Sequence, residues 1–166
     1  MRFAKVSTVT VFNVASFLMA FLLIAASTVV GRAQSDPVIG TWKLNLMKSK
    51  YNPGPPPKSL TRTYESVRNG VKVTVEGVDG FNNPIKYGYT ANYDGKDYPV
   101  TGVGVPGGAD VVAFTRTDLT FTVEETLKQA GKVIITARRI VSQKGTLLTF
   151  NSKGTTGNNV TVHDKQ

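Results

Sequence analysis

Tyrosines make up most of the chemistry this chain offers. Tyr87, Tyr89 and Tyr93 recur at odd positions in the stretch IKYGYTANY, and Tyr64 and Tyr98 lie on neighbouring segments. A ring with a polar tip suits a pocket for an amphipathic molecule. The same rings can fill a core or pair across strands. Glu125 shares the parity of Phe121, Val123 and Leu127, so it points inward unless a bulge turns it out. A buried carboxylate needs a partner, and Arg139 shares the apolar parity of Val133, Ile135 and Ala137. Only one of Arg138 and Arg139 can point inward from a strand.

Hydrolytic and metal chemistry have little to work with. His163 is the single histidine and the chain has no cysteine, so metal sites of several His or Cys ligands are excluded. His163 stands beside Asp164 near the end of the chain and is expected at the surface. No serine lies in a Gly-x-Ser-x-Gly turn. The carboxylates mostly flank glycine turns, as Asp79 and Asp94 do. No catalytic residue, metal ligand or cofactor site is assigned, and no enzyme is expected.

The elements that would position these side chains are strands. VKVTVEG, IKYGYTANY and LTFTVEETL alternate apolar and polar residues with period two, the mark of strands with one buried face. Asn69-Gly70, Asp79-Gly80, Asp94-Gly95, Ala130-Gly131 and Lys144-Gly145 separate the runs with turn chemistry. Strands are expected near 38–46, 58–69, 71–78, 84–93, 96–101, 110–117, 119–128, 132–142, 146–154 and 158–165. The fold class is all-β: one antiparallel up-and-down meander barrel of about 8–10 strands. Closure would remove the exposed edges, with the Gly40–Leu46 stretch pairing with the last strand. Gly40 permits close approach there, and Trp42, the only tryptophan, plugs one end. Pro53-Gly54-Pro55-Pro56-Pro57 cannot donate ladder hydrogen bonds and ends the pairing.

The first 33 residues read as a signal peptide. Arg2 and Lys5 precede an apolar run from Val6 to Val30, and Gly31 and Ala33 supply a small-residue cleavage site. The alternative is an uncleaved anchor, since the run is long enough to span a bilayer. The domain is then 34–166, with no integral membrane span after processing. Losing Arg2, Lys5 and Arg32 takes the net charge from +9 to +6. The remaining basic residues are scattered, unlike the basic patch of a nucleic-acid binder. A bacterial envelope location, periplasmic or secreted, fits the absence of cysteine. Asn159-Val160-Thr161 forms a glycosylation sequon, accidental in such a source.

Gly40-x-Trp42 at the start of a meander barrel resembles the calycin superfamily of lipocalins, fatty-acid-binding proteins and avidins. IGTWKLN, KSLTRTYE and NVTVHDKQ extend the match, and YDGKDYPVTG is similar to an element of bacterial secreted lipocalin-like proteins without an assigned ligand. The resemblance implies a barrel that holds a small molecule. It also implies an arginine from a late strand stacked on Trp42, for which parity favours Arg139. Three features depart from the pattern. Met47–Pro57 is too short and proline-rich for a helical lid, the chain ends on a strand, and Thr161 and His163 occupy the positions of the Arg-x-Tyr carboxylate clamp.

The expected function is therefore an exported, non-enzymatic binder of a small hydrophobic or amphipathic molecule, lipid among the candidates. Tyr64, Tyr87, Tyr89, Phe121 and Arg139 are its candidate ligand-binding residues, with Gly40 and Trp42 structural. The alternative is a packed barrel acting as an interaction or inhibitor module. A weaker third reading is an anion- or polysaccharide-binding surface.

Overall fold

A run of strands with one apolar face each can bury those faces together by rolling up. The computed structural model describes residues 36–118, 121–155 and 157–166, and it shows this arrangement. The strands are β1 (Gly40–Leu44), β2 (Ser59–Val67), β3 (Gly70–Val78), β4 (Pro84–Asn92), β5 (Tyr98–Pro99), β6 (Thr101–Val103), β7 (Val111–Arg116), β8 (Thr122–Gln129), β9 (Lys132–Val141), β10 (Leu147–Gly154) and β11 (Gly157–Lys165). All lie in one antiparallel sheet, in the order β5-β7-β8-β9-β10-β11-β1-β2-β3-β4-β6. The signal peptide expected over 1–33 lies outside the described residues, as do Leu119 and Thr120 of the strand expected at 119–128. Among the described residues, no helix is long and apolar enough to cross a membrane.

The first strand joins the last. Trp42 stands opposite Lys165, and Leu44 opposite His163. On its other side β1 pairs with β2, Trp42 facing Arg62. Tight turns carry the meander onward. Val67 pairs with Gly70 and Gln129 with Lys132, leaving two-residue loops. In the second loop Ala130 and Gly131 both adopt positive φ, as a type I′ hairpin requires, and in the first Asn69 does so.

Closure is completed by one segment that changes partner. The single strand expected at 96–101 is two short pieces. Tyr98 and Pro99 pair with Val112 and Val111 of β7, and Thr101, Gly102 and Val103 then pair with Gly88, Tyr87 and Lys86 of β4. Between them the Val100 N–H donates to the Asp110 carbonyl at 2.9 Å. The two ends of the sheet are thus consecutive stretches of chain, and the barrel is nearly closed. Gly102 makes the crossing possible: its φ is +127°, and a Cβ there would fall 2.6 Å from Tyr87 Cα.

β1 is shorter than its 38–46 alternation predicts. Asn45 caps a 3₁₀ turn over Leu46–Lys48, its Oδ1 accepting the Lys48 N–H at 3.1 Å. The chain regains β11 at Lys50, opposite Val160, and the proline run then leaves the sheet. It packs on the β3–β4 turn, where a Cβ on Gly80 would lie 2.6 Å from Pro55 Cγ. Prolines therefore cover this mouth of the barrel, where a helical lid has no room.

The other mouth is plugged. Trp42, Tyr64, Val71, Phe114 and Leu148 are each almost wholly buried, worth about 1.5–3 kcal/mol apiece for the aliphatic and Phe side chains. The Trp42 indole N–H donates to the Val38 carbonyl at 2.7 Å, which draws the incoming chain over the core.

Candidate functional site

Period two fixes which side chains face inward. On β2 these are Leu60, Arg62 and Tyr64, and on β4 Ile85, Tyr87, Tyr89 and Ala91. Glu125 and Leu127 of β8, Ala137 and Arg139 of β9, Phe150 of β10 and Thr161 of β11 complete the ring. Toward the proline-covered mouth these residues surround a cavity of about 260 Å³. Tyr51 and Pro57 contribute from the proline segment, and Gly104, Val105, Pro106 and Gly107 from the β6–β7 loop. The walls are mostly apolar: Leu60, Ile85, Val100, Val112, Leu127, Ile135, Ala137 and Phe150. Arg62 and Glu125 are the charged groups that line it.

Deeper in the barrel the charges are packed. Arg139 is 1% exposed and Glu125 4%, with Arg139 Nη1 3.4 Å from Glu125 Oε1. The Arg139 guanidinium lies 5.1 Å from the Tyr64 ring centroid, 5.2 Å from Phe114 and 5.8 Å from Tyr93. Its Nη2 donates to the Tyr93 hydroxyl at 3.2 Å. That hydroxyl donates to Asp36 at 2.6 Å, and Arg116 reaches the same carboxylate oxygen at 2.7 Å. A polar chain therefore runs from the cavity wall to the N-terminal end of the described domain. Arg62 stands apart from it. Its guanidinium stacks on Phe150 at 4.6 Å, and its Nε has no hydrogen-bond partner among the described residues.

The local field follows from this burial. Desolvation pushes the Glu125 carboxyl above the usual range, although Arg139 and Arg62 pull against it. Burial raises the Tyr64 phenol and raises that of Tyr89 well above its ordinary value. Tyr93 is pushed up to about 12, chiefly by burial. Burial would raise the Asp36 carboxyl, but its bonds to Tyr93 and the Val38 N–H and the nearby arginines outweigh this and hold it low.

The structure divides the residues expected to bind ligand. Tyr87 and Tyr89 line the cavity, while Tyr64 and Arg139 lie below it in the core. Phe121 packs against the core edge and does not line the cavity. Arg139 does point inward, with Arg138 exposed. It does not stack on Trp42, however. That ring is covered by Lys165, whose Nζ is 5.0 Å from the centroid, because the β1–β11 register sets Lys165 opposite Trp42. Gly40, at φ +128°, leaves room for the Lys165 stem. Arg62 is absent from the residues expected to bind ligand, although its parity with Leu60 and Tyr64 marks it as inward.

His163, expected at the surface, is instead fully buried. Its ring meets Phe150 edge-on at 5.5 Å, and neither nitrogen makes a well-formed hydrogen bond. Burial, reinforced by Arg62, lowers its pKa to about 3. The unfolded chain would take a proton near the ordinary value of about 6.5. Between these values the unfolded state binds the extra proton, so stability falls as pH drops through this window. Glu125, with its pKa raised, acts in the opposite sense. Exchanging His163 for methionine should therefore flatten the acid limb by about 1.4 kcal/mol per pH unit. Urea unfolding at several pH values reads this slope, and an unchanged slope would refute the assignment.

Among the described residues, no group of three or more His, Asp or Glu could hold a metal ion. Neither a protein-family model nor a curated protein matches the chain. Solved structures do. The fluorescent protein UnaG in its wild-type form is 14% identical with a TM-score of 0.54, over 77% of this chain and 96% of that one. A single-site mutant of UnaG gives 12% and 0.55, over 78% and 96%. At such identity the likeness speaks of architecture alone: the chain shares with UnaG the fold of a nearly closed antiparallel β-barrel.

Proposed function

We propose that this protein is an exported, non-enzymatic carrier of a small amphipathic molecule held inside the barrel. The observation that carries the reading is the cavity: about 260 Å³, walled mainly by aliphatic and aromatic side chains, with a guanidinium left partly unpartnered at its wall. An apolar body fits such walls, and a polar end fits Arg62. Tyr87 and Tyr89 offer the faces against which a flat or branched body can pack.

Titration with N-phenylnaphthylamine, an uncharged probe that brightens in apolar surroundings, tests the reading. One equivalent should bind per chain. Ala137→Leu, which fills the cavity from β9, should weaken binding at least tenfold while the fold is retained by circular dichroism. A folded protein indifferent to the probe would overturn the carrier reading and favour the packed interaction module. Export rests on residues 1–33, and the N-terminal sequence of protein recovered from an envelope fraction checks it, Gln34 being the expected first residue.

A further inference from the structure

The barrel interior holds one more positive charge than negative. Among the described residues its charged side chains are Arg62, Glu125 and Arg139. Asp36 and Arg116 answer each other at the plugged end. Guanidinium groups stay charged at any pH a folded protein meets, so two fixed cations share one carboxylate. Arg139 is well supplied with the Tyr93 hydroxyl, three aromatic faces and Glu125. Arg62 has the face of Phe150 and an Nε without a partner. Arg62 and Glu125 line the same cavity.

We propose that Arg62 is an anion site and that Glu125 is its built-in competitor, so that an anionic amphiphile binds together with one proton taken up from solvent by Glu125. This deepens the carrier reading and rests on it. The groups that act on Glu125 are Arg139 of β9, Arg62 and Tyr64 of β2 and Tyr89 of β4. The two phenols are neutral in the working range because burial raises them, and His163 is neutral because burial lowers it. The arginines alone therefore hold the Glu125 charge in place. A ligand head seated on Arg62 takes up one of these cations and adds a second negative charge in a medium of low dielectric. Both effects favour the protonated carboxyl. Coupling is reciprocal: whatever the ligand does for the proton, the proton does for the ligand.

Two probes of one skeleton test this on the intact domain: anilinonaphthalene sulfonate, always an anion, and uncharged N-phenylnaphthylamine. As pH falls through the range in which the Glu125 carboxyl, pushed upward by its burial, takes up a proton, sulfonate affinity should rise by up to about tenfold per unit. The neutral probe should hold constant. Calorimetry in two buffers of different ionisation heat should show up to one proton taken up per sulfonate bound. Glu125→Gln should bind the sulfonate more tightly at the upper end of the range and lose the pH slope. Arg62→Gln should weaken the sulfonate at least tenfold and the neutral probe much less. If the neutral probe binds while the sulfonate shows neither pH slope nor proton uptake, this inference falls and the carrier reading stands. A wild-type slope in Glu125→Gln overturns it equally. If neither probe binds, the carrier reading fails and takes this inference with it.

Discussion

Arg139→Ala should cost about 3–5 kcal/mol of folding stability, visible as a lower urea midpoint at unchanged m-value. The uncompensated charge left behind accounts for more of this than the missing packing does. Glu125 is 4% exposed and has Arg139 as its nearest cation, at 3.4 Å. Remove the guanidinium and the carboxylate must stay buried without that partner or be protonated. The substitution also strips the plane that lies against Tyr64, Phe114 and Tyr93. Arg139→Lys keeps a charge but not the plane, so it should fall between. The double change Arg139→Met with Glu125→Gln should recover most of the stability, because replacing both members of a buried pair is often close to neutral. A single alanine variant within about 1 kcal/mol of wild type would show that the pair carries no net stability.

Trp42→Ala should be comparably severe, at about 3–5 kcal/mol. Trp42 is fully buried and lies on the strand that zips the beginning of the sheet to its end. The ring is held from both sides, with Lys165 over one face and its indole N–H on the Val38 carbonyl at 2.7 Å. Trp42→Phe separates the two contributions. It keeps most of the apolar volume and leaves the Val38 carbonyl without its donor, for a smaller loss of about 1–3 kcal/mol. Hydrogen exchange at the β1–β11 amides should quicken in both variants, and most in the alanine. Exchange left unchanged there would mean that the tryptophan does not secure this junction.

Much of this architecture is legible in the residue pattern. VKVTVEG and IKYGYTANY name their buried faces by alternation, and Asn69-Gly70 and Ala130-Gly131 announce tight hairpins. What escapes the pattern depends on partners distant in sequence. The stretch 96–101 reads as one strand, and its change of ladder at Val100, with the extension to Val103, follows from where β4 and β7 lie. His163 beside Asp164 reads as surface, but the β10–β11 register turns it inward, next to Leu148 and Phe150. Local chemistry ends pairing at the proline run, yet only its packing on the turn at Gly80 says where that run lies. The site is half legible. Parity finds Tyr87 and Tyr89. It marks Arg62 as well, but a charged residue is seldom placed inside a barrel, and the family resemblance assigns Arg139 to the wrong ring.

The segment that switches partner at Val100 also governs how these molecules treat one another. An all-β protein with a long unpaired strand hands its neighbours a template for adding strands, the first step toward aggregates. Here the sheet terminates in β5 and β6, of two and three residues, and Pro99 removes a donor from the first. β6 covers only Lys86–Gly88 of β4 and β5 only Val111 and Val112 of β7, so a second copy could add a strand only along the uncovered ends of β4 and β7, and any fibril growth from the intact fold should start there.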